Sequence, residues 1–441
     1  MKSEQTTIGI CGLWHLGCVL CGAWTKLGFR VIGFDPEKSR VAKLSKGQPP
    51  LFEPGLEQTL VAGLHEKRLR FTDDIGDLHA CDFIFIAFDT PVSEQDECDL
   101  SPLEKAIDGL ADTVQDGTTV IVSSQTPVGT CFRFRMQLQR ANRETELVYS
   151  PENLRLGQAI ECYLKPGRII LGAESDVAKN RATDLFKVIG AQIIPMNLAS
   201  AEMVKHAINS FLANSIVFAN HLADLCEVCG ADILDVVGGM KSEERIGQKA
   251  YLSPGIGFSG GTLGRDLRVL SGLGAKRGGK PTIYDAILEF NADRKNVIVD
   301  HVVRLLDGEA RGKTIAILGL TYKPGTSTLR RSLPLEIAQL LVRTGARVKA
   351  YDPRADYGEL DAAPEFETCS SIDDALRESD LAVLLTEWPE FRGFDWEAGG
   401  KLMRQMRIFD AKNFLVSAQL SAKGFQYSGV GRGHMGGCDA A

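Results

Sequence analysis

The sequence lacks the features of a membrane-spanning or nucleic-acid-binding chain. No apolar run approaches the roughly 20 residues that a transmembrane helix requires. Basic residues are not in excess, since the net charge is −7, which argues against nucleic acid or an anionic membrane as the main partner. The polar residues at positions 1–5 do not predict a signal peptide. We therefore expect a cytoplasmic protein.

Disulfides and metal sites are also not expected. The eleven cysteines are an odd number and lie scattered through apolar segments, which is typical of reduced thiols. Two pairs have CxxC spacing, Cys18/Cys21 and Cys226/Cys229, but neither has a His or Cys pair at zinc-finger spacing. We expect buried free thiols and no metal.

A chain of 441 residues is too long for one core and predicts two or three domains. Strand-like runs at 7–11, 31–34, 83–87, 119–123, 147–149 and 168–171 are separated by helical stretches or loops, as in a doubly wound parallel sheet. From Ser200 to about Gly230 the apolar spacing is helical without interruption. A second βαβ unit begins at Thr314, where Thr-Ile-Ala-Ile-Leu-Gly-Leu repeats the pattern of Thr7-Ile-Gly-Ile-Cys-Gly-Leu.

The predicted fold is therefore α/β, with two Rossmann-type doubly wound parallel-sheet domains joined by a long central helix and a helical middle domain. The expected parts are a cofactor-binding domain at 1–199, a helical dimerisation domain at 200–305, a second Rossmann-like domain at 306–432 and a disordered tail at 433–441. The long helix could leave one face free for a second subunit, so at least a dimer is expected.

A dinucleotide site is predicted at the first strand-to-helix turn. Gly12 and Gly17 have the outer spacing of G-x-G-x-x-G, and Asp35 ends the next strand, where an acid favours NAD over NADP. Trp14 occupies the middle glycine position, so its indole either rotates away, reshapes the site or blocks it. His15 is expected to be a surface side chain.

A glycine-rich segment at 254–266 is the most informative stretch. It reads Pro-Gly-Ile-Gly-Phe-Ser-Gly-Gly-Thr-Leu-Gly-Arg-Asp, and such a density of glycine lets backbone approach a ligand closely. It resembles the catalytic loop of the UDP-glucose/GDP-mannose dehydrogenases, Pro-Gly-x-Gly-aromatic-Gly-Gly-x-Cys-x-Pro-Lys-Asp. Thr262 stands where that family carries its cysteine nucleophile.

The resemblance extends over residues 6–432. It rests on Glu53-Pro-Gly-Leu56, Asp89-Thr-Pro91, Ser124–Thr130, Pro151–Gly157, the helix motif Glu202-x-x-Lys-x-x-x-Asn209, Arg245-Ile-Gly247, Gly319–Thr326 and Asp410-Ala-Lys-Asn413. It implies catalytic roles for Lys205, Asn209, Asp266 and Glu152, with Thr262 in the nucleophile position. It implies cofactor contacts from Gly12, Trp14, Gly17, Asp35, Thr90, Thr126 and Arg330, and substrate contacts from Arg245, Phe258, Gly260, Lys323 and Leu154.

The resemblance implies NAD-dependent oxidation of a nucleotide sugar, with UDP-glucose or a related UDP-hexose as substrate, for polysaccharide or glycoside precursors. Family members oxidise the primary alcohol twice, through a thioester on the cysteine. A threonine hydroxyl is far less acidic than a thiol, so full two-step oxidation is in question. A single oxidation, a redox-neutral reaction such as epimerisation, and a non-catalytic sugar-nucleotide-binding protein stay open as alternatives.

Overall fold

A computed structural model describes residues 5–90, 98–141, 144–151, 154, 157–276, 278 and 282–432. The predicted tail at 433–441 lies outside the described residues. The chain divides into two compact units, one up to Ile208 and one from Asn209 onward. No described helix combines the length and apolar character that crossing a lipid bilayer would demand.

The first unit is built on one eight-stranded sheet. Its strands are rich in β-branched and aromatic residues, which suit a sheet covered on both faces. They are β1 (Thr7–Cys11), β2 (Arg30–Phe34), β3 (Leu69–Thr72), β4 (Phe83–Ile86), β5 (Thr119–Val122), β6 (Glu146–Tyr149), β7 (Ile169–Ala173) and β8 (Ile193–Met196). The strand order is β3-β2-β1-β4-β5-β6-β7-β8, so the order reverses between β1 and β4.

Helices cover both faces of this sheet, and two apolar clusters form the cores on its two sides. The helices are α1 (His15–Lys26), α2 (Lys38–Leu44), α3 (Leu56–His65), α4 (Ser101–Thr113), α5 (Thr130–Arg140), α6 (Ala159–Leu164) and α7 (Asp176–Phe186). The α1 helix is buried along nearly its whole length, including both cysteines of its CxxC pair. This pair is therefore core packing, as expected, whereas the expectation is wrong for the second pair, in which Cys226 is buried but Cys229 is exposed.

The sheet differs from the expected parallel arrangement at its last two strands, β7 and β8, which are parallel to each other but antiparallel to the rest. β7 runs antiparallel to β6, with Val148 opposite Ala173, whereas every pair from β3 to β6 is parallel. The reason lies in the connection between β6 and β7, whose described part contains only the short helix α6. A parallel return usually needs a full crossover helix, so the chain instead turns back alongside β6.

The second unit combines a helical part with a six-stranded parallel sheet. Its helical part contains most of α8 (Leu198–Cys229), together with α9 (Ile233–Ser242), α10 (Thr262–Ala275) and α11 (Ile283–Leu305). The sheet contains β9 (Thr314–Leu318), β10 (Arg347–Tyr351), β11 (Glu367–Thr368), β12 (Leu381–Leu384), β13 (Arg407–Asp410) and β14 (Gln426–Gly429). Its helices are α12 (Leu333–Arg343), α13 (Ile372–Leu376), α14 (Pro389–Gly393), α15 (Trp396–Gly400) and α16 (Ser417–Ala422).

The prediction of two Rossmann-type sheets joined by a helical region is confirmed. The long helix was expected from Ser200 to about Gly230 and is observed as one 32-residue element, α8. The second sheet has the order β11-β10-β9-β12-β13-β14, which repeats the order around the first strand of the first sheet.

The internal repeat extends to individual hydrogen bonds. The amide of Gly12 donates to the carbonyl of Phe34 at 2.9 Å, and that of Gly319 donates to Tyr351 at 2.8 Å. Both glycines have positive φ, of 92° and 91°, which a side chain rarely tolerates. Each sheet therefore ends its first strand in the same tight turn, at the place where ligands bind in open α/β sheets.

Candidate functional site

The turn between β1 and α1 is too tight for any residue but glycine at two positions. A Cβ on Gly12 would lie 2.8 Å from the amide nitrogen of Phe88, and one on Gly17 would lie 1.7 Å from the carbonyl oxygen of Gly12. Helix α1 therefore starts directly over the end of β1, as a pyrophosphate site requires. Within the described residues, no side chain caps the start of α1. This local structure fits the predicted dinucleotide.

Asp35 follows β2 beside this turn, at the position predicted to bind the ribose. It is buried and accepts hydrogen bonds from the amides of Leu13 at 2.8 Å and Glu37 at 3.0 Å. Nη1 of Arg40 contacts both of its carboxylate oxygens, at 2.8 and 2.7 Å. A ribose diol would have to share this carboxylate with Arg40 or displace it.

Trp14 lies next to this ion pair. It is the N-cap of α1 with extended backbone, and 39% of the residue is exposed. The guanidinium of Arg40 lies over the indole, 5.3 Å from the ring centroid, a cation–π distance. An aromatic ring and a cation therefore flank the predicted ribose carboxylate. Sequence reasoning missed Arg40, because no local sequence pattern signals its contact with Asp35.

The expectation that His15 is a surface side chain is wrong. Its Nε2 lies 2.9 Å from Oε2 of Glu53, and only 13% of its side chain is exposed. The Glu53 carboxylate is buried and also accepts the amides of Gly157 at 3.0 Å and Ala159 at 2.8 Å. Burial of the Glu53 carboxylate demands such partners, so His15 joins the glycine turn to the loop that follows β6.

Two further predicted cofactor residues lie in loops after strands of the same sheet. Thr90 follows β4 and is buried. Thr126 is fully buried, and its hydroxyl donates to Glu202 of α8 at 3.2 Å. Glu202 also accepts the amides of Gly129 at 2.6 Å and Cys131 at 2.8 Å, so it holds the start of α5. A cofactor contact by Thr90 or Thr126 stays a prediction.

The loop after β6 carries the predicted Glu152, which lies outside the described residues. Leu154 is half-buried and packs against the apolar core of the first sheet. Its predicted contact with substrate stays a prediction.

Lys205 and Asn209 occupy successive turns of the same continuous helix. Four-residue spacing places them on one face of α8, and both are buried. Nδ2 of Asn209 donates to Oδ2 of Asp266 in α10 at 2.5 Å. Asp266 is fully buried. Two of the predicted catalytic residues, Asn209 and Asp266, are therefore in direct contact in the second unit, and their catalytic roles stay predictions.

Thr262 is the first residue of α10 and is exposed. Asp266 lies one turn further along the same helix. The start of a helix favours negative charge, so an anion formed at position 262 is stabilised there. A threonine does not supply such an anion near neutral pH, and the assignment of position 262 as the family's nucleophile position stays a prediction.

None of the buried thiols near the first sheet offers a replacement nucleophile. Burial raises the pKa of Cys131 well above its usual range, and the neighbouring Glu202 adds to the effect. Burial likewise raises the pKa of Cys18 to about 12. Such thiols stay protonated near neutral pH and are unreactive.

Three other predicted substrate residues of the second unit, Phe258, Gly260 and Lys323, each contact a different part of that unit. Phe258 is buried in a small apolar cluster with Ala213, Leu267 and Ile287. The amide of Gly260 donates to the carbonyl of Arg331 at 3.1 Å, and Lys323 lies 5.5 Å from the ring centroid of Tyr322.

Two predicted arginines lie at the surface of this unit. Arg245 is largely exposed and its Nε donates to Glu243 at 2.7 Å, and Arg330 is exposed as well. Their predicted contacts, with a neighbouring subunit's sugar and with cofactor, stay predictions.

Three family models match consecutive parts of the chain. They are the NAD binding domain of the UDP-glucose/GDP-mannose dehydrogenase family over residues 6–190, the central domain of that family over 199–293 and its UDP binding domain over 316–417.

Curated relatives match over nearly the full length. The chain is 33% identical to UDP-glucose 6-dehydrogenase TuaD of Bacillus subtilis, over 96% of this chain and 93% of that protein. It is 32% identical to a UDP-glucose 6-dehydrogenase of Pseudomonas aeruginosa, over 98% and 99%. Among solved structures, a UDP-glucose dehydrogenase from Pyrobaculum islandicum has a TM-score of 0.87 at 29% identity, covering 98% of both chains.

Proposed function

We propose, from the premise that this chain belongs to the UDP-glucose/GDP-mannose dehydrogenase family, that it uses NAD to oxidise the primary alcohol of a UDP-hexose. The observation that carries the proposal is the buried Asn209–Asp266 pair, whose Asp266 lies one helical turn beyond Thr262 in α10. A purely binding protein has no need of a buried acid and amide at that position. UDP-glucose, the substrate named for the curated relatives, is the first candidate.

The chain's own residues supply binding and charge stabilisation. NAD, when bound, accepts the hydride from the carbinol carbon. Gly12, Gly17 and Asp35 would hold it at the end of β1. Lys205 and Asn209 present an ammonium and an amide donor, which stabilise negative charge developing on the sugar oxygen.

Water takes part in the second half of the reaction. Asp266 would orient a water molecule, and Glu152 would assist hydration or hydrolysis. The uridine nucleotide would contact Lys323 and the sugar would contact Gly260, Phe258 and Leu154. These assignments rest on the family pattern and on the local positions of the residues.

Thr262 limits the reaction as proposed. The family's two-step oxidation passes through a thioester, and a threonine hydroxyl does not ionise at neutral pH as a thiol does. The first oxidation needs no nucleophile and gives the 6-aldehyde. Any further oxidation to the uronic acid must then proceed from the aldehyde hydrate, so we propose that the aldehyde accumulates.

We further propose a homodimer formed through an apolar stripe on α8. Phe211, Phe218 and Leu225 recur every seven residues and are 69%, 48% and 50% exposed, and Val228 extends the line at 83%. A heptad spacing of large apolar residues is the pattern by which one helix packs against a second copy. The other exposed positions along this side of the helix are Met203, Ala207 and His221, so no Asp, Glu, Lys or Arg interrupts it.

The cellular role and the domain division are proposals of the same kind. We propose a cytoplasmic enzyme that supplies activated sugar acids or aldehydes for polysaccharide or glycoside synthesis, because the cysteines of the described residues are free thiols. We propose that residues 1–199 bind cofactor, 200–305 form the dimer and 306–432 bind the nucleotide.

Mass spectrometry of the products tests the function. The protein is incubated with NAD and either UDP-glucose or another UDP-hexose, while NADH is followed by absorbance. We expect NADH formation and a nucleotide sugar two hydrogens lighter than the substrate. Lys205→Met should abolish the signal, and Lys179→Met, at a partly exposed site on α7, should not. Tight UDP-glucose binding without NADH from any sugar would refute the enzyme.

A further inference from the structure

The loop from 252 to 261 has no regular secondary structure, yet it carries the glycine-rich segment up to Thr262. Buried peptide groups must find hydrogen-bond partners, and a loop cannot supply them all from its own backbone. In the second unit, side chains from two long helices supply them instead. We call Asn220 and Asp224 of α8, with Asn291 and Arg294 of α11, the loop clamp.

Asn291 binds one peptide group of the loop at both of its polar atoms. Its Oδ1 accepts the amide of Phe258 at 2.8 Å, and its Nδ2 donates to the carbonyl of Phe258 at 2.9 Å. This two-point contact imitates a neighbouring β-strand. The Phe258 ring is held on the other side by the apolar cluster with Leu267 and Ile287. Residue 258 is therefore fixed both through its backbone and through its side chain.

Gly255 is held in the same way, through both its amide and its carbonyl, by Asn220 and Arg294. Its amide donates to Oδ1 of Asn220 at 2.6 Å, and its carbonyl accepts Nε of Arg294 at 3.0 Å. Arg294 is almost completely buried, and its Nη1 contacts Asp224 at 2.5 Å. A buried guanidinium is expensive unless it is paired, so this arginine has a specific task at the loop.

Gly257, between the two clamped residues, shows how closely the loop approaches α11. Its φ is 97°, and a Cβ there would lie 2.6 Å from Oδ1 of Asn291. The loop backbone therefore passes directly against the clamp. From Gly260 the chain runs straight into α10, which begins at Thr262 and carries Asp266.

We propose that Asn291 and Arg294 are positioning residues for the reaction. They do not touch the reacting atoms, but they fix the glycine-rich loop and the start of α10, and so set where Phe258 and Gly260 contact the sugar and where Asp266 orients water in the proposed reaction. The proposal rests on the oxidation of a nucleotide sugar proposed above. Misplacement of a reacting group by about 1 Å can cost two orders of magnitude in rate, so the geometry of this clamp controls turnover.

A graded pair of variants tests the proposal. Asn291→Asp keeps the acceptor for the Phe258 amide but loses the donor to its carbonyl, and Asn291→Leu loses both. We expect kcat with UDP-glucose to fall about tenfold in the first and about 100-fold in the second. The KM for NAD should change less than twofold, and a larger share of product should leave as aldehyde. Asn296→Leu, at an exposed site on the same helix, is the matched control.

A second readout does not depend on activity. Hydrogen exchange of the peptide covering 250–262 should accelerate in Asn291→Leu and stay at the parent rate in Asn296→Leu, because the Phe258 amide loses its acceptor. If the parent oxidises no nucleotide sugar but exchange still accelerates, the proposed function fails while the clamp stands.

Two results would overturn the positioning role. One is an Asn291→Leu protein with kcat and product ratio within twofold of the parent. The other is equal loss of affinity for UDP, UDP-glucose and NAD together with a lower unfolding temperature, which would make the clamp a purely structural feature. Arg294→Lys keeps the charge but cannot contact both Gly255 and Asp224, so it should behave like Asn291→Asp. It provides a second test of the clamp if Asn291→Leu fails to fold.

Discussion

Thr262 combines a favourable position with an unreactive side chain. It is exposed at the first turn of a 14-residue helix, and Asp266 lies one turn further along. The partial positive charge at a helix start lowers the pKa of a thiol placed there. The same field cannot bring a threonine hydroxyl near ionisation at neutral pH. In the function proposed above, the side chain at position 262 therefore decides whether the second oxidation can pass through a covalent intermediate.

Thr262→Cys should restore the second oxidation. We expect the ratio of NADH formed to sugar consumed to rise toward two and the uronic acid to replace the aldehyde, because a thiolate can add to the aldehyde carbon. Product mass spectrometry with simultaneous NADH absorbance measures both. Thr262→Ser is the control, since it removes the methyl group without adding a thiol. An unchanged product in the cysteine variant would contradict the reading of this position.

Individual residues show how far the sequence could be interpreted. The position of Asp35 at the end of the second strand was predictable because period-2 patterns and a following acid are local signals. Its partner Arg40 was not, because the contact depends on how α2 folds back over the strand end. His15 was misassigned for the same reason. Its partner Glu53 is distant in sequence and is itself buried, so the contact between them partly buries His15 as well.

At the scale of elements, α8 was the most predictable feature because apolar residues recur along its whole length at helical spacing. The contacts of α8 were less predictable. Glu202 was noticed in the sequence only as part of a motif, yet its carboxylate accepts backbone amides at the start of α5. The clamp residues of α11 gave no sequence signal, since an Asn and an Arg three apart on a helix are usually surface residues. Their task appears only when the loop lies against them.

The apolar stripe of α8 makes a prediction about association. Phe218→Asp places a charge in the middle of the stripe, and two-fold symmetry would place it there twice. We expect the dimer to weaken by about 2 kcal/mol or more, as for a central interface residue. Analytical ultracentrifugation across a concentration series measures the shift toward monomer.

A charge at an equally exposed apolar residue elsewhere separates this effect from a general loss of solubility. Val188 in the first unit is 47% exposed, close to the 48% of Phe218, so Val188→Asp should leave the association constant unchanged. A dimer that survives both Phe218→Asp and Leu225→Asp at low micromolar concentration would place the interface on another surface.

At the scale of the whole molecule, the repeat of two Rossmann-type sheets was visible in sequence because both copies keep the same strand and glycine pattern. The closure of the second unit, by which its C-terminal residues contact its helical part, was not visible in the sequence. Its last described residues return to the helical part, where the amide of Gly431 donates to Glu227 of α8 at 2.8 Å and Arg432 contacts Asp232 at 2.6 Å. These partners are some 200 residues apart, and no local pattern links them.

Glu227 makes this closure dependent on pH. Burial alone would raise the pKa of Glu227, but hydrogen bonds from His301 and from the Gly431 amide, with the charge of Arg294, bring it below its ordinary value. A carboxylate with a lowered pKa stabilises the folded state above its unfolded pKa of about 4.3, and this stabilisation disappears as the pH falls through the folded pKa.

Glu227→Gln should therefore lower the free energy of unfolding at pH 7 by about 0.5 to 1 kcal/mol, after allowance for solvent screening. The amide oxygen still accepts the Gly431 amide, so the loss reports the charge of Glu227 together with its contact to His301. Protonation of Glu227 removes the same stabilisation from the parent protein. The free energies of unfolding of the two proteins should therefore become equal between about pH 5 and pH 3. Denaturant unfolding over that pH series measures it, with Glu289→Gln, exposed on α11, as control. A difference that stays constant down to pH 3 would show that the Glu227 charge does not hold the C-terminal segment.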